Sequence, residues 1–156
     1  MSTASLRRAL RNGSRHEQAE AAVELGRHSD SASADDLRRL ADSPDDLVAV
    51  AAMFGCWLLG RDVPLQRAAA ALGSADEETM QAAVHALCEM GDAAVPGLAA
   101  LLEADSPNSA EIVRVLGDIG GAKAQEAVLR ASRSSRPELA ATARDVLEDW
   151  ENGDED

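Results

Sequence analysis

The sequence predicts an all-α protein built from about five antiparallel helical hairpins, arranged in a row as an α-solenoid. Four segments end in an apolar residue followed by glycine, at Leu25-Gly26, Leu59-Gly60, Met90-Gly91 and Ile119-Gly120. Their glycines are 34, 31 and 29 residues apart, which is typical of stacked helical-hairpin repeats. Aromatic residues make up only 2% of the chain, so alanine and leucine must fill the core, which favours close helix–helix packing.

Apolar periodicity and helix-start signals place the helices in order along a single domain, residues 1–150. Ser43-Pro44-Asp45-Asp46, for example, predicts a capping serine, a first-turn proline and two first-turn acids. The Ser-rich stretch His28–Ala34 is either a hinge or binding loop, or a solvated insertion. The acidic tail 151–156 is expected to be disordered. The predicted repeats are 5–26 (helices 5–11 and 15–26), 34–60 (34–41 and 44–59), 63–91 (63–72 and 76–90), 93–120 (93–103 and 107–119) and 122–150 (122–132 and 137–150).

The second helix of every repeat carries an apolar stripe at equivalent positions. The positions four, seven and one residues before the repeat end form a face about 120° wide, which predicts a helix packed into a core. In the last repeat Asp149 and Trp150 replace the apolar residue and the glycine, as expected of a terminal capping repeat. The stripe contains Ala22, Cys56, Leu87, Leu116 and Val146, then Ala19, Met53, Val84, Val113 and Ala143, then Leu25, Leu59, Met90 and Ile119.

The opposite face of the second helices is the candidate partner-binding surface, which we call the ribbon. Its members lie six and two residues before each repeat end, and are therefore four apart and adjacent on one helix face. Three repeats are expected to form the pairs His85/Glu89, Arg114/Asp118 and Arg144/Glu148. The ribbon contains Glu20, Phe54, His85, Arg114 and Arg144, and Glu24, Leu58, Glu89, Asp118 and Glu148.

Phe54 and Leu58 interrupt the charged ribbon, on a helix that is apolar on every side. Such a helix must be covered. Either the first hairpin buries the pair, or the pair is a docking spot for another protein or for a second copy of this chain.

Two segments of the chain contain a similar sequence motif. Ala86–Leu98 with Leu101-Leu102, and then Val115–Ala124, resemble HEAT repeats, in particular the HEAT-like repeats first named in phycobilin lyases. The resemblance covers about 75–132 well and the flanking residues loosely. It implies an α-solenoid, a fold that serves scaffolds, adaptors and a few enzymes.

Enzymatic and metal roles find little support in the residues. Deoxyhypusine hydroxylase, an enzyme with this kind of repeat, builds a di-iron site from several His-Glu pairs. This chain offers one such pair, His16-Glu17, and of the equivalent positions only Glu111 adds a carboxylate. Cys56, His85 and Cys88 lack a fourth ligand for structural zinc. We therefore expect no enzyme activity, metal or cofactor, and two reduced, buried cysteines.

Composition points to the environment of the protein. The net charge is −13, and Lys123 is the only lysine among fifteen basic residues. This bias resembles that of extreme halophiles; an ordinary acidic protein is the alternative. The charge argues against nucleic acids and anionic membranes as partners. No apolar run spans a membrane and no signal core follows Met1, so a cytoplasmic protein is expected.

The predicted function is therefore that of a non-enzymatic adaptor or scaffold that binds another protein through the ribbon. Signalling is one process in which such an adaptor could act. The alternative is an accessory or regulatory subunit of a modifying enzyme such as a lyase.

Overall fold

The structure is a computed structural model that describes residues 2–153, a part of the chain that is all-helical and contains no strand. The predicted helices are found at nearly the predicted positions. The largest differences are the third hairpin, whose first helix is shorter than 63–72, and the end of the last helix. The helices are α1 (Thr3–Asn12), α2 (Arg15–Arg27), α3 (Ala34–Leu40), α4 (Asp46–Leu58), α5 (Gln66–Ala71), α6 (Glu77–Met90), α7 (Val95–Glu103), α8 (Ser109–Ile119), α9 (Gly121–Ser132) and α10 (Pro137–Gly153).

Local sequence explains where the helices start. Ser14 and Glu17 form a reciprocal capping box at α2, with each side chain bonded to the other residue's backbone N–H. Asp45 caps α4 by accepting bonds from the N–H groups of Leu47 (3.0 Å) and Val48 (3.2 Å). The predicted cap, Ser43, instead accepts a bond from the Asp45 N–H, so the helix starts two residues later than predicted.

Three of the four repeat-ending glycines terminate helices by adopting a left-handed backbone. Gly60, Gly91 and Gly120 have φ angles of 83°, 59° and 67°, which only glycine adopts without a steric penalty. Gly26 differs from them, because the helix predicted over 15–26 continues through it and ends one residue later, at Arg27. The left-handed residue that follows α2 is Ser29, at φ 55°.

Gly26 instead allows α2 and α4 to pack closely. A Cβ atom on Gly26 would lie 2.8 Å from the carbonyl oxygen of Gly55, and one on Gly55 would lie 2.5 Å from the carbonyl oxygen of Ala22. Both distances are far below van der Waals contact, so neither position tolerates a side chain without a shift of the helices. The two helices form the most extensive helix–helix contact in the described residues.

The even-numbered helices contact one another in chain order, α2 with α4, α4 with α6, α6 with α8 and α8 with α10. Each of α1, α3, α5, α7 and α9 also contacts the helix that follows it in the chain. The predicted stripe supplies much of the core: Ala22, Leu87, Leu116, Val113 and Ala143 are fully buried, whereas Val84, Leu59, Ile119 and Val146 are half-buried.

Two predicted irregular segments contain regular structure. The His28–Ala34 stretch includes a 3₁₀ turn over Ser31–Ser33, where the buried Ser33 hydroxyl donates to Asp30. At the other end, α10 extends through Gly153, so the first half of the predicted disordered tail is helical. Residues 154–156 lie outside the described part of the chain. None of the helices in residues 2–153 is long and apolar enough to cross a membrane.

Candidate functional site

The eight polar members of the ribbon all lie at the surface of the second helices, as the periodicity predicted. The two apolar members do not: the Phe54 side chain is only 2% exposed, and Leu58 is half-buried. The exposed residues are Glu20, Glu24, His85, Glu89, Arg114, Asp118, Arg144 and Glu148.

Phe54 is covered by residues from two other helices, so its prediction as an exposed docking spot is wrong. The guanidinium carbon of Arg27, on α2, lies 5.7 Å from the centre of the Phe54 ring. The His85 ring, on α6, meets it edge-on at 6.3 Å, and Trp57 stacks on it at 6.0 Å. Cation–π and aromatic contacts thus hold the ring in place. The alternative prediction, burial by the first hairpin, is correct in part, because Arg27 belongs to that hairpin whereas His85 belongs to α6.

The contact between Phe54 and His85 also bears on the register of the ribbon. These residues occupy the same position, six residues before the repeat end, in consecutive hairpins. Their rings touch. Equivalent positions of α4 and α6 are therefore neighbours in space, which is what a ribbon of matched side chains requires.

Ion pairs join α2 to α6 across the top of α4, at both ends of the two helices. At the amino ends, Arg15 Nη2 lies 3.0 Å from Asp76 Oδ2, and His16 Nδ1 lies 2.8 Å from Glu78 Oε1. At the carboxyl ends, Arg27 Nη2 binds both carboxylate oxygens of Glu89, at 3.0 and 3.2 Å. Together these pairs connect α2 to α6 over the face of α4 that carries Phe54.

Arg15 is the centre of a network that links the starts of three helices. Its Nε donates to the α4 cap Asp45 (2.9 Å), and its Nη2 donates to Asp76 (3.0 Å), the residue that precedes α6. The Thr79 hydroxyl also donates to Asp76. Hydrogen bonds donated by Thr79 and then by Arg15 lower the pKa of the Asp76 carboxyl. The bonds that Arg15 donates to Asp76 and then to Asp45 raise the pKa of Arg15.

The surface of α8 and α10 lacks such bridges. Within residues 2–153, Asp118, Arg144 and Glu148 form no ion pair, and the nearest carboxylate to Arg114 is Glu111 of the same helix, at 3.9 Å. None of the three expected pairs, His85/Glu89, Arg114/Asp118 and Arg144/Glu148, lies within ion-pair distance: Glu89 binds Arg27 instead. The charges over α8 and α10 are thus largely uncommitted to other parts of the fold.

The candidate catalytic residues are dispersed or unreactive. His16 is an exposed residue in the first turn of α2, and Glu78 is its partner. Cys56 is a buried free thiol and Cys88 a half-buried one, which corrects the prediction that both are buried. Burial raises the pKa of both thiols, and the nearby Asp118 carboxylate raises that of Cys88 further. Such thiols remain protonated near neutral pH and are poor nucleophiles. Over the described residues, no three His, Cys, Asp or Glu side chains converge as metal ligands would.

Several residues of this surface carry no signal in the sequence. Arg15 and Arg27 contact residues about sixty positions away, and their importance depends on the path of the chain. Comparison of the chain with protein-family models gives no match, and none of the curated proteins matches it either.

Proposed function

We propose that this protein is a non-enzymatic adaptor, a HEAT-like α-solenoid that binds another protein through the exposed charges of α8 and α10. The observation that carries the proposal is the contrast between two parts of one surface. Above α4 the ribbon is closed by ion pairs to α2, whereas above α8 and α10 its charged groups stand in solvent without partners elsewhere in the fold.

The packing of the helices supports the solenoid part of the proposal. Second helices that contact one another in chain order place equivalent side chains in rows, and the Phe54–His85 contact is one such neighbouring pair. A row of this kind forms an extended surface rather than an enclosed pocket, as repeat proteins commonly use for binding.

The charges of the ribbon on α8 and α10 indicate the kind of partner that it would bind. Arg114 and Arg144 alternate with Asp118 and Glu148 on neighbouring helices, so the surface presents both signs of charge. A protein with a complementary pattern would form several charge-assisted hydrogen bonds here. A nucleic acid or an anionic membrane would instead be repelled by the net charge of −13.

Site-specific photo-crosslinking in lysate of the source cells tests this proposal. A photoreactive amino acid is placed at Asp118 or Glu148 of the ribbon, and for comparison at Glu126, an exposed residue of α9. We expect a defined protein adduct from the ribbon positions and none from position 126. Crosslinking to all three positions alike, or to none, would contradict the proposal.

A charge-reversal pair separates binding from folding. Arg114→Glu with Arg144→Glu should abolish the adduct formed at position 118, because it reverses two charges that the partner must match. Arg133→Glu, at an exposed arginine beyond α9, serves as the matched control and should leave the adduct intact. Unchanged far-ultraviolet circular dichroism of both variants would show that the fold is retained.

A further inference from the structure

A cleft of about 530 Å³ lies on a different part of the molecule, between α3, α4 and the start of α5. Its apolar wall is formed by the buried Met53 and Cys56 of α4 and the half-buried Val63. The volume is in the range of ordinary small-molecule sites, about 300–1,000 Å³. The charged residues of the lining are Asp35, Asp42, Asp62, Arg38, Arg61 and Arg67.

Two arginines at this cleft form no ion pair within the described residues. Nine of its fourteen arginines form ion pairs within residues 2–153. Arg38 and Arg61 are among the five that do not, and both line the cleft. Arg67, the third arginine of the lining, is occupied: it donates to Asp46 Oδ1 and to the Ser43 carbonyl oxygen, both at 2.8 Å. Arg38 and Arg61 are therefore the cations available to a ligand.

The three aspartates of the lining do not pair with these two arginines. All three are exposed, as Arg38 and Arg61 are, and within residues 2–153 none of the three forms an ion pair with either arginine. Burial raises the pKa of the Cys56 thiol, and the charges of Arg61 and then Arg38 oppose this rise. Both guanidinium groups therefore act at the apolar wall beside Cys56.

A neighbouring cleft provides an internal comparison. It has the same volume, about 530 Å³, and lies on the other side of the 61–65 segment, beside Trp57, Met90 and Leu101. Its lining contains no basic residue. Apolar surface alone is therefore common to both clefts, and the two arginines distinguish the first.

We propose that the cleft of Arg38 and Arg61 binds a small carboxylate with a hydrocarbon body, of the medium-chain fatty acid class. The carboxylate would lie between the two guanidinium groups, which present planar donor pairs suited to it. The hydrocarbon chain would lie against the half-buried Val63, beside Met53 and Cys56. Because Met53 and Cys56 are already buried, most of the favourable free energy would come from removing the ligand's own chain from water. This inference is independent of the ribbon, since none of these residues belongs to it.

Calorimetric titration of the whole chain with octanoate tests the proposal, with octylamine as the matched cation. About 1 M KCl screens the net negative charge of the protein, because the Debye length is then about 3 Å. We expect saturable, one-to-one binding of octanoate and none of octylamine. Equal binding of the two compounds, or no saturable octanoate binding up to about 10 mM, a bound corresponding to very weak affinity, would overturn the proposal.

Variants locate the site. Arg38→Gln and Arg61→Gln should each weaken octanoate binding about tenfold, since each removes a charge-assisted hydrogen bond. Arg133→Gln, at another exposed arginine without an ion pair among the described residues, should leave the affinity unchanged. Retained affinity in the double variant Arg38→Gln, Arg61→Gln would refute the assignment.

The two cysteines supply a second, independent readout. Saturating octanoate should slow alkylation of Cys56 by N-ethylmaleimide, followed by peptide mass spectrometry, and should leave the rate at Cys88 unchanged. Cys88 lies on α6 and is not part of the cleft lining. Equal rates at Cys56 with and without octanoate would place the ligand elsewhere and overturn the proposal.

Discussion

Replacement of Gly55 by alanine should destabilise the protein, although the same change stabilises most helices. In an exposed helix interior, alanine is favoured over glycine by about 0.5–1 kcal/mol. At Gly55 the added Cβ would lie 2.5 Å from the carbonyl oxygen of Ala22 and 3.2 Å from its carbonyl carbon. These are backbone atoms of α2, so no side-chain rotation can relieve the overlap.

The size of the effect follows from the separation that the methyl group imposes. Relief of the overlap requires α2 and α4 to move apart by about 0.5–1 Å, a gap that forfeits a quarter to a half of each dispersion contact along the interface. Overpacking of this kind costs about 1–3 kcal/mol and outweighs the gain in helix propensity. The corresponding decrease in melting temperature is about 3–10 °C for a chain of this size.

Thermal and urea unfolding followed by circular dichroism at 222 nm measure this change. Gly153→Ala is the control, because a Cβ there has no neighbour within 4 Å. A Gly55→Ala variant as stable as the wild type would refute the close approach of α2 and α4.

A double-mutant cycle sharpens the test. A Cβ on Gly26 would meet the Gly55 carbonyl oxygen at 2.8 Å, so both substitutions separate the same two helices. Once one methyl group has moved them apart, the second costs less. We expect the double variant Gly26→Ala, Gly55→Ala to be about 1 kcal/mol more stable than the sum of the single effects predicts. Strict additivity would show that the two glycines do not share one contact.

Three further predictions address other parts of the fold. Leu116→Ala should destabilise the protein by about 2–5 kcal/mol, and Leu129→Ala, at a side chain 41% exposed, by less than about 0.5 kcal/mol, as urea unfolding will show. Hydrogen bonds donated by Arg7 and then by Ser33 lower the pKa of Asp30 to about 2, whereas its value in the unfolded chain is near 3.8. The resulting stabilisation is present above about pH 4 and is lost as the pH falls toward about 2. Asp30→Asn should therefore reduce the dependence of the melting temperature on pH in that window. Trp150→Phe removes the indole N–H bond to the Gly117 carbonyl oxygen (3.1 Å) and should cost about 0.5–1.5 kcal/mol in chemical unfolding, whereas a cost of zero would show that this bond does not help to hold α10 on α8.

The positions of the helices were predictable because their signals are local. An apolar period of 3.6 residues and a helix-ending glycine depend on a few neighbouring residues, and Gly60, Gly91 and Gly120 have the left-handed backbone that such a signal implies. Gly26 occurs in the same sequence motif, an apolar residue followed by glycine, but has a different structural role. Only the approach of α4, about thirty residues later in the chain, shows that the missing side chain is needed for packing.

The sequence likewise predicted one property of the candidate surface and missed another. Periodicity correctly placed the eight polar ribbon residues at the surface, because exposure follows the helix face. It failed for their partners, because it compares residues only within one helix. Glu89 was expected to pair with His85 and binds Arg27, sixty-two positions earlier, while His85 packs on Phe54. These contacts depend on how α2 lies beside α6, which no local pattern encodes.

The difference between the two parts of the ribbon has a physical origin that also constrains the partner. Phe54 on α4 must leave water, and the fold achieves this by covering it with Arg27 and His85. The corresponding face of α8 carries Arg114 and Asp118, which are well solvated and need no cover. A protein that covers them must replace their hydration with hydrogen bonds of its own, because a buried and unpaired charge costs several kcal/mol. The proposed recognition at α8 and α10 would therefore depend on matched polar groups rather than on apolar area, and it should discriminate strongly against partners whose charges do not match.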